Sequence, residues 1–208
     1  MHPGAAIFLD VCAQRDFWPG GAWALIDPAG AANVAALFAL AAELGVRQGG
    51  VRCAHGPGEP GEARLSGPAH AAGGSAGAEP AAGCVPAEPV IVVAPASSAA
   101  RALDRAHAYY VATGCGAAPD ADPVCRAVVE HLLAGVRDAI VFGAGIEAGL
   151  DRTVEACLRR RVRTHVVLDA AAAADPARAQ EVIADWKRRG VDALTTATVA
   201  RLLRRSAN

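Results

Sequence analysis

Cys53-Ala54-His55 lies at the end of an expected strand, 46–53, and His70 follows in a stretch rich in glycine, alanine and proline. A thiol and an imidazole two residues apart at a strand end, joined by a second imidazole from a loop, are ligand types that suit zinc. Three protein ligands keep a fourth position open for water or substrate, and water held there has its pKa drawn toward ~7. The same residues also fit a buried strand-end cysteine beside two solvated histidines, and residue types alone do not separate the two readings. Asp10, in the first apolar segment, is the carboxylate expected to act as base, because an aspartate at a strand's apolar end has no packing reason to be there. His2, His107, His131 and His165 fall at a terminus, a helix end, a helix interior and a strand, and are assigned no chemistry.

A second place for chemistry is the run 138–142, a buried strand by its composition, which enters the turn Gly143-Ala144-Gly145-Ile146-Glu147-Ala148-Gly149-Leu150 before a helix. Strand-to-helix turns at the carboxyl ends of parallel strands gather ligands, because backbone N–H groups and the helix dipole converge there. This turn carries no serine, threonine or cysteine. Cys12 and Cys115 lie near the ends of expected strands, but neither opens a helix, the position that lowers a thiol pKa, so both are read as incidental.

The segment 7–21, with Asp10, Gln14, Asp16, Phe17, Gly20 and Gly21, resembles the opening strand and loop of the isochorismatase-like cysteine hydrolases, which include the nicotinamidases. The turn at Gly143 is similar to that family's nucleophile segment, with Glu147 at its acidic position and Gly149 where the cysteine belongs. The segment 70–79 and Leu168-Asp169-Ala170 give two further matches in the family's order. The resemblance implies a cysteine nucleophile, an aspartate base and a lysine acting on amides, ureas or enol ethers. Asp10 is matched to the aspartate, Ala112 falls at the lysine position with Thr113 as the neighbouring choice, and the one lysine, Lys187, lies in a late helix. With Ala112 and Gly149 degenerate, cysteine-hydrolase activity is not expected. The resemblance also implies a metal held by Asp-x-His and a loop histidine; Cys53, His55 and His70 fall there, with cysteine in place of aspartate. Dimers or larger homo-oligomers are common in that family.

The elements that must position these groups alternate short apolar runs with longer amphipathic ones, the pattern of βαβ units. Strands are expected near 6–9, 46–53, 108–111, 139–142, 164–168 and 193–195, and helices near 31–44, 98–106, 123–134, 147–160, 176–189 and 198–204. The implied architecture is an α/β three-layer sandwich, a mostly parallel six-stranded sheet with helices on both faces, in one domain spanning 1–208. Residues 90–93 fit either an extra strand or an extended cover, and 56–89 reads as a long Gly/Ala/Pro-rich loop. Asp122-Pro123 and Asp175-Pro176 each supply an N-cap and a first-turn proline. Trp18 and Trp23 are expected to anchor the loop after Asp10 or to wall a planar ligand.

With 208 residues, 53% of them hydrophobic, and a net charge of −1, the chain fits one soluble domain with no nucleic-acid footprint. No apolar run approaches the ~20 residues of a membrane span, and the N-terminus lacks a leader pattern, so a cytoplasmic protein is expected. Six cysteines without C-x-x-C pairs read as reduced thiols. Two functions stand beside each other: a metal-assisted hydrolase or hydratase of a small molecule, with zinc on Cys53, His55 and His70 and Asp10 as base, and a pseudoenzyme kept for ligand binding or assembly. A cysteine hydrolase using a displaced thiol ranks third.

Overall fold

The structure, a computed structural model, describes residues 1–55, 68–95, 103–114 and 117–207. Its strands are β1 (Ala6–Val11), β2 (Arg47–Cys53), β3 (Val90–Val93), β4 (Ala108–Thr113), β5 (Asp138–Ala144), β6 (Arg163–Ala172) and β7 (Asp192–Leu194). They form one sheet in the order β3-β4-β2-β1-β5-β6-β7, with every pairing parallel. β1, β4 and β5 are buried along their whole length, which matches their near-continuous apolar composition and the burial of parallel sheets on both faces.

Among the described residues four α-helices lie between strands, α1 (Pro28–Leu44), α2 (Pro123–Leu133), α3 (Asp151–Arg159) and α4 (Pro176–Arg188), and a fifth, α5 (Thr196–Ala207), follows β7. Three start at an aspartate followed by proline. Asp27 accepts from Gly30 N–H, Asp122 from Val124 and Cys125 N–H, and Asp175 from Ala177 and Arg178 N–H, satisfying donors that the first turn leaves free. α1 and α5 pack together on one face, where Phe38 meets Phe142 with ring centroids 6.0 Å apart. On the other face, Leu9 and Val51 meet Val129 and Leu132 of α2 and Ala156 and Cys157 of α3.

Side chains alternate between these faces along each strand. The register therefore sends Phe8, Asp10, Arg52, Tyr110 and Phe142 toward α1, and Leu9, Val11, Val51 and Cys53 toward α2 and α3. β1 and β5 are neighbours whose onward connections leave in opposite directions, which makes their carboxyl ends the switch point where such sheets bind ligands.

The expected α/β sandwich is present, with seven strands among the described residues where six are expected. The difference is residues 90–93, which form the edge strand β3 on β4. The helix expected near 98–106 lies partly outside the described residues, and its described end, 103–106, is non-helical and turns into β4. Within the expected loop, 56–67 is outside the described residues; the remainder holds a 3-10 turn, Ala76–Ala78, and is tied down by bridges from Gln14 to Pro80 and from His55 to Ala72. No described helix is long and apolar enough to cross a membrane.

Candidate metal centre and pocket

Cys53, His55 and His70 come together. Cys53 Sγ lies 3.0 Å from His55 Nε2 and 3.6 Å from His70 Nε2, and the two imidazole nitrogens are 3.2 Å apart. All three residues are buried, and together they are the described cluster whose donor atoms could hold a metal ion. His70 Nδ1 is 2.7 Å from the Pro68 carbonyl, which can only accept, so this ring carries its proton on Nδ1 and offers the Nε2 lone pair to the cluster. A tetrahedral zinc with the usual bond lengths needs ligand-to-ligand edges of about 3.3 Å between nitrogens and about 3.6 Å between sulfur and nitrogen. The observed edges are near these, and one thiolate with two imidazoles is a donor set zinc accepts, so the residues present fit the metal.

The backbone around these ligands is fixed from several sides. Buried Gln14 accepts from Cys53 N–H through Oε1 at 2.8 Å and donates through Nε2 to the Cys53 carbonyl at 2.8 Å and the Ala78 carbonyl at 2.9 Å. One side chain thus clamps the ligand-bearing end of β2 to the loop that follows His70. Asp16 accepts from Ala71 N–H at 2.7 Å and from Ala22 N–H at 3.3 Å, which buttresses the loop. Cys12 and Ala71 adopt positive φ, 54° and 46°, a conformation that side-chain-bearing residues hold only where their surroundings impose it, and both lie beside the site.

A cleft of about 400 Å³, its mouth included, opens beside the cluster at the sheet's switch point. Its walls include Cys12 and Phe17 after β1, Val51 and Cys53 of β2, Thr113 at the end of β4 with Gly114 after it, and Gly145, Glu147 and Gly149 after β5. Trp23 lines it too, with its ring centroid 4.6 Å from that of His70 and 5.9 Å from that of Phe17, so this tryptophan both anchors its loop and walls the pocket. Gly149 stands where a nucleophile would. It sits in a π-helical turn, Ile146–Leu150, and a Cβ there would lie 2.8 Å from Val11 Cγ1, so the empty elbow is packed as an empty elbow.

Asp10 is elsewhere. The register puts it on the α1 face, opposite to Cys53, and it is buried against Arg52 with Nη1 to Oδ2 at 2.5 Å. Arg52 in turn lies over the Tyr110 ring, Cζ to centroid 3.9 Å. Gly50 separates Asp10 from Tyr110 across the sheet, and any side chain at Gly50 would collide with the Asp10 backbone. Burial raises the Asp10 carboxyl above its ordinary range, with Arg52 and Tyr110 working against that rise, and burial holds the Tyr110 hydroxyl well above its usual value. The expectation that Asp10 shares the cavity with the ligands is therefore not met, because strand alternation turns it to the other side; the neighbouring residue that lines the cleft is Cys12, just past β1, at positive φ.

Arg52 was not singled out in the sequence. It pairs across the ladder with Ala112, the position matched to the family's lysine, so the cation beside the aspartate comes from β2 instead of β4. Its signal, an arginine in an expected buried strand, was weak because that strand also carries Arg47, Gln48 and two glycines. Glu147, noted only as a pattern match, is buried and lines the cleft. Burial pushes the thiols of Cys84 and Cys157 up to about 12 and that of Cys125 up to about 11, as inert core cysteines require. Cys115 is outside the described residues.

The comparisons with known proteins agree with the fold. The chain is similar to an isochorismatase family protein from Desulfovibrio vulgaris subsp. vulgaris str. Hildenborough, at 21% identity and a TM-score of 0.65 over 95% of this chain and 96% of that one. It is also similar to PnC1 from L. infantum in complex with nicotinate, at 18% identity and a TM-score of 0.67 over 92% of each chain. A third similar structure is the pyrazinamidase of Pyrococcus horikoshii in complex with zinc, at 18% identity and a TM-score of 0.61 over 91% of this chain and 98% of that one. No protein-family model and no curated protein matches the sequence. The fold is that of the isochorismatase-like hydrolases.

Proposed function

We propose that this chain is a metal-dependent hydrolase or hydratase of a small molecule, with zinc on Cys53, His55 and His70. The observation that carries the reading is the convergence of one sulfur and two ring nitrogens, 3.0 to 3.6 Å apart, beside a cleft whose nucleophile position is Gly149. A bound zinc supplies Lewis acidity and a water that ionises near neutral pH. The chain's own groups do the rest: Gln14 and the Pro68 carbonyl hold the ligands in register, and Phe17, Trp23 and Leu25 exclude bulk water. Asp10 is assigned to the buried pair with Arg52. The zinc-complexed pyrazinamidase of the same fold supports the choice of metal.

A second reading, a ligand-binding pseudoenzyme, is favoured by the contact that Gly149 makes impossible for a side chain against Val11. The experiment that separates the two is a panel of small amides, ureas and cyclic amidines assayed before and after chelation. Turnover that disappears with chelator and returns with added zinc supports the hydrolase. Zinc-loaded protein that turns over none of the panel supports the binding protein.

A further inference from the structure

The sheet face that carries α2 and α3 holds a second space, deeper than the cleft. It measures about 300 Å³, its mouth included, and is walled by Leu9 of β1, Gly50 and Val51 of β2, Val129 and Leu132 of α2 and Cys157 of α3. No charged side chain among the described residues lines it, and the hydroxyl that does, Thr153 Oγ1, is spent on the Gly149 carbonyl at 2.8 Å. An apolar cavity without free polar partners stays dry, so a hydrocarbon group entering it displaces no bound water and strands no polar atom.

One side chain divides the two spaces. Val51 is the single residue among those described that lines both the cleft and the inner cavity. Strand alternation explains this: β2 turns Gly49, Val51 and Cys53 to the same face, Gly49 has no side chain, and Cys53 belongs to the cluster and the cleft. On β1, Leu9 lines the inner cavity alone, and Val11, which pairs with Val51, lies against Gly149 instead. The partition that β2 offers is therefore one buried isopropyl group.

From this geometry we infer that Val51 sets the length of the cleft's ligand, a small molecule with its polar end at the Cys53, His55 and His70 cluster and a slim hydrocarbon end against the Val51 isopropyl group. The inference rests on the reading of the cleft as the small-molecule site, and it names what limits that site's ligand. Phe17, Trp23 and Leu25 make the neighbouring walls apolar, so a hydrocarbon end is the chemistry that fits. Each methylene buried there gains about fourfold in affinity, and the gain stops where the tail meets Val51.

The test is NMR titration of the purified protein with two straight-chain series, primary alcohols from ethanol to octanol and hydroxamates from acetohydroxamate to octanohydroxamate. In the wild type, affinity should rise about fourfold per added carbon and then level off or fall. Val51→Ala joins the cleft to the inner cavity, so the rise should continue for at least one further carbon before it stops. A wild-type rise that runs unbroken to the longest member, the same stopping length in both proteins, or no binding of either series would each overturn the inference. The wild-type break decides alone if the variant does not fold. The two head groups keep the proposals apart, because a hydroxamate gains strongly from a bound zinc and an alcohol does not. Hydroxamates no tighter than alcohols of equal length, with the stopping length still moved by Val51→Ala, sink the metal reading only; hydroxamates that bind far tighter but stop at one length in both proteins sink this one only.

Discussion

Gln14 is not among the residues lining the cleft, yet three hydrogen bonds of its amide fix both backbone groups of Cys53 and the carbonyl of Ala78. Gln14→Ala would strand buried donors and acceptors at about 1–3 kcal/mol, and, as with other residues that orient metal ligands, lower zinc affinity by about 10–100-fold. Competition with a chromophoric chelator measures the second effect; unchanged affinity would show that Cys53 is positioned without this clamp. Asp10 makes the opposite prediction. Because it pairs with Arg52 on the far face, Asp10→Ala should lower stability by about 3–5 kcal/mol in urea unfolding while zinc content stays at the wild-type level. An Asp10→Ala protein of unaltered stability that loses activity would restore Asp10 to the catalytic role its sequence position suggested. Cys53, His55 and His70 were readable as a group from the family resemblance, since their residue types alone left a non-metal reading open. Arg52, Gln14's clamp and the side to which Asp10 points were not, because each depends on strand register, and a single-residue change in register exchanges the faces.

Among the elements, helix starts were the most legible. Asp122-Pro123 and Asp175-Pro176 open α2 and α4 where the residues require, since an Asp cap and a proline with no N–H to satisfy are local chemistry. Asp122→Ala should lose about 1 kcal/mol, seen as a lower urea midpoint with unchanged slope. β3 was ambiguous in the sequence because four apolar residues carry no period, and only pairing with β4 decides the matter. At the other end of the sheet, Asp138 accepts from Arg163 at 2.5 Å and faces His165 at 3.0 Å, and His165 also meets Asp192 at 3.0 Å. Burial raises the Asp138 carboxyl, but its bonds to Arg163 and His165 outweigh this and hold it below its ordinary 3.8. A depressed folded-state value stabilises the protein above the unfolded pKa. That stability is therefore present from about pH 4 upward and drains away as pH falls through the lower folded value. Urea midpoints between pH 6 and pH 2 should fall less steeply in Asp138→Asn than in wild type; parallel curves would remove this pair from the acid response.

For the whole molecule, alternation of apolar runs and amphipathic segments was enough to give the parallel sandwich, and the order of strands placed the cleft where β1 and β5 part company. Gly149 at the nucleophile position and Cys53 in place of a carboxylate were read from the resemblance; what the sequence could not give was the packing of that glycine on Val11 and the tie of Glu147 to Ala174 and Asp175. On the proposed reading these belong together, as a site in which metal chemistry would stand where thiol chemistry is absent. Elemental analysis of the purified protein tests that directly. The account predicts close to one zinc per chain, lost in His55→Ala and in Cys53→Ala while both variants stay folded; zinc-free wild-type protein that takes up none from solution, or full occupancy in those variants, would contradict it.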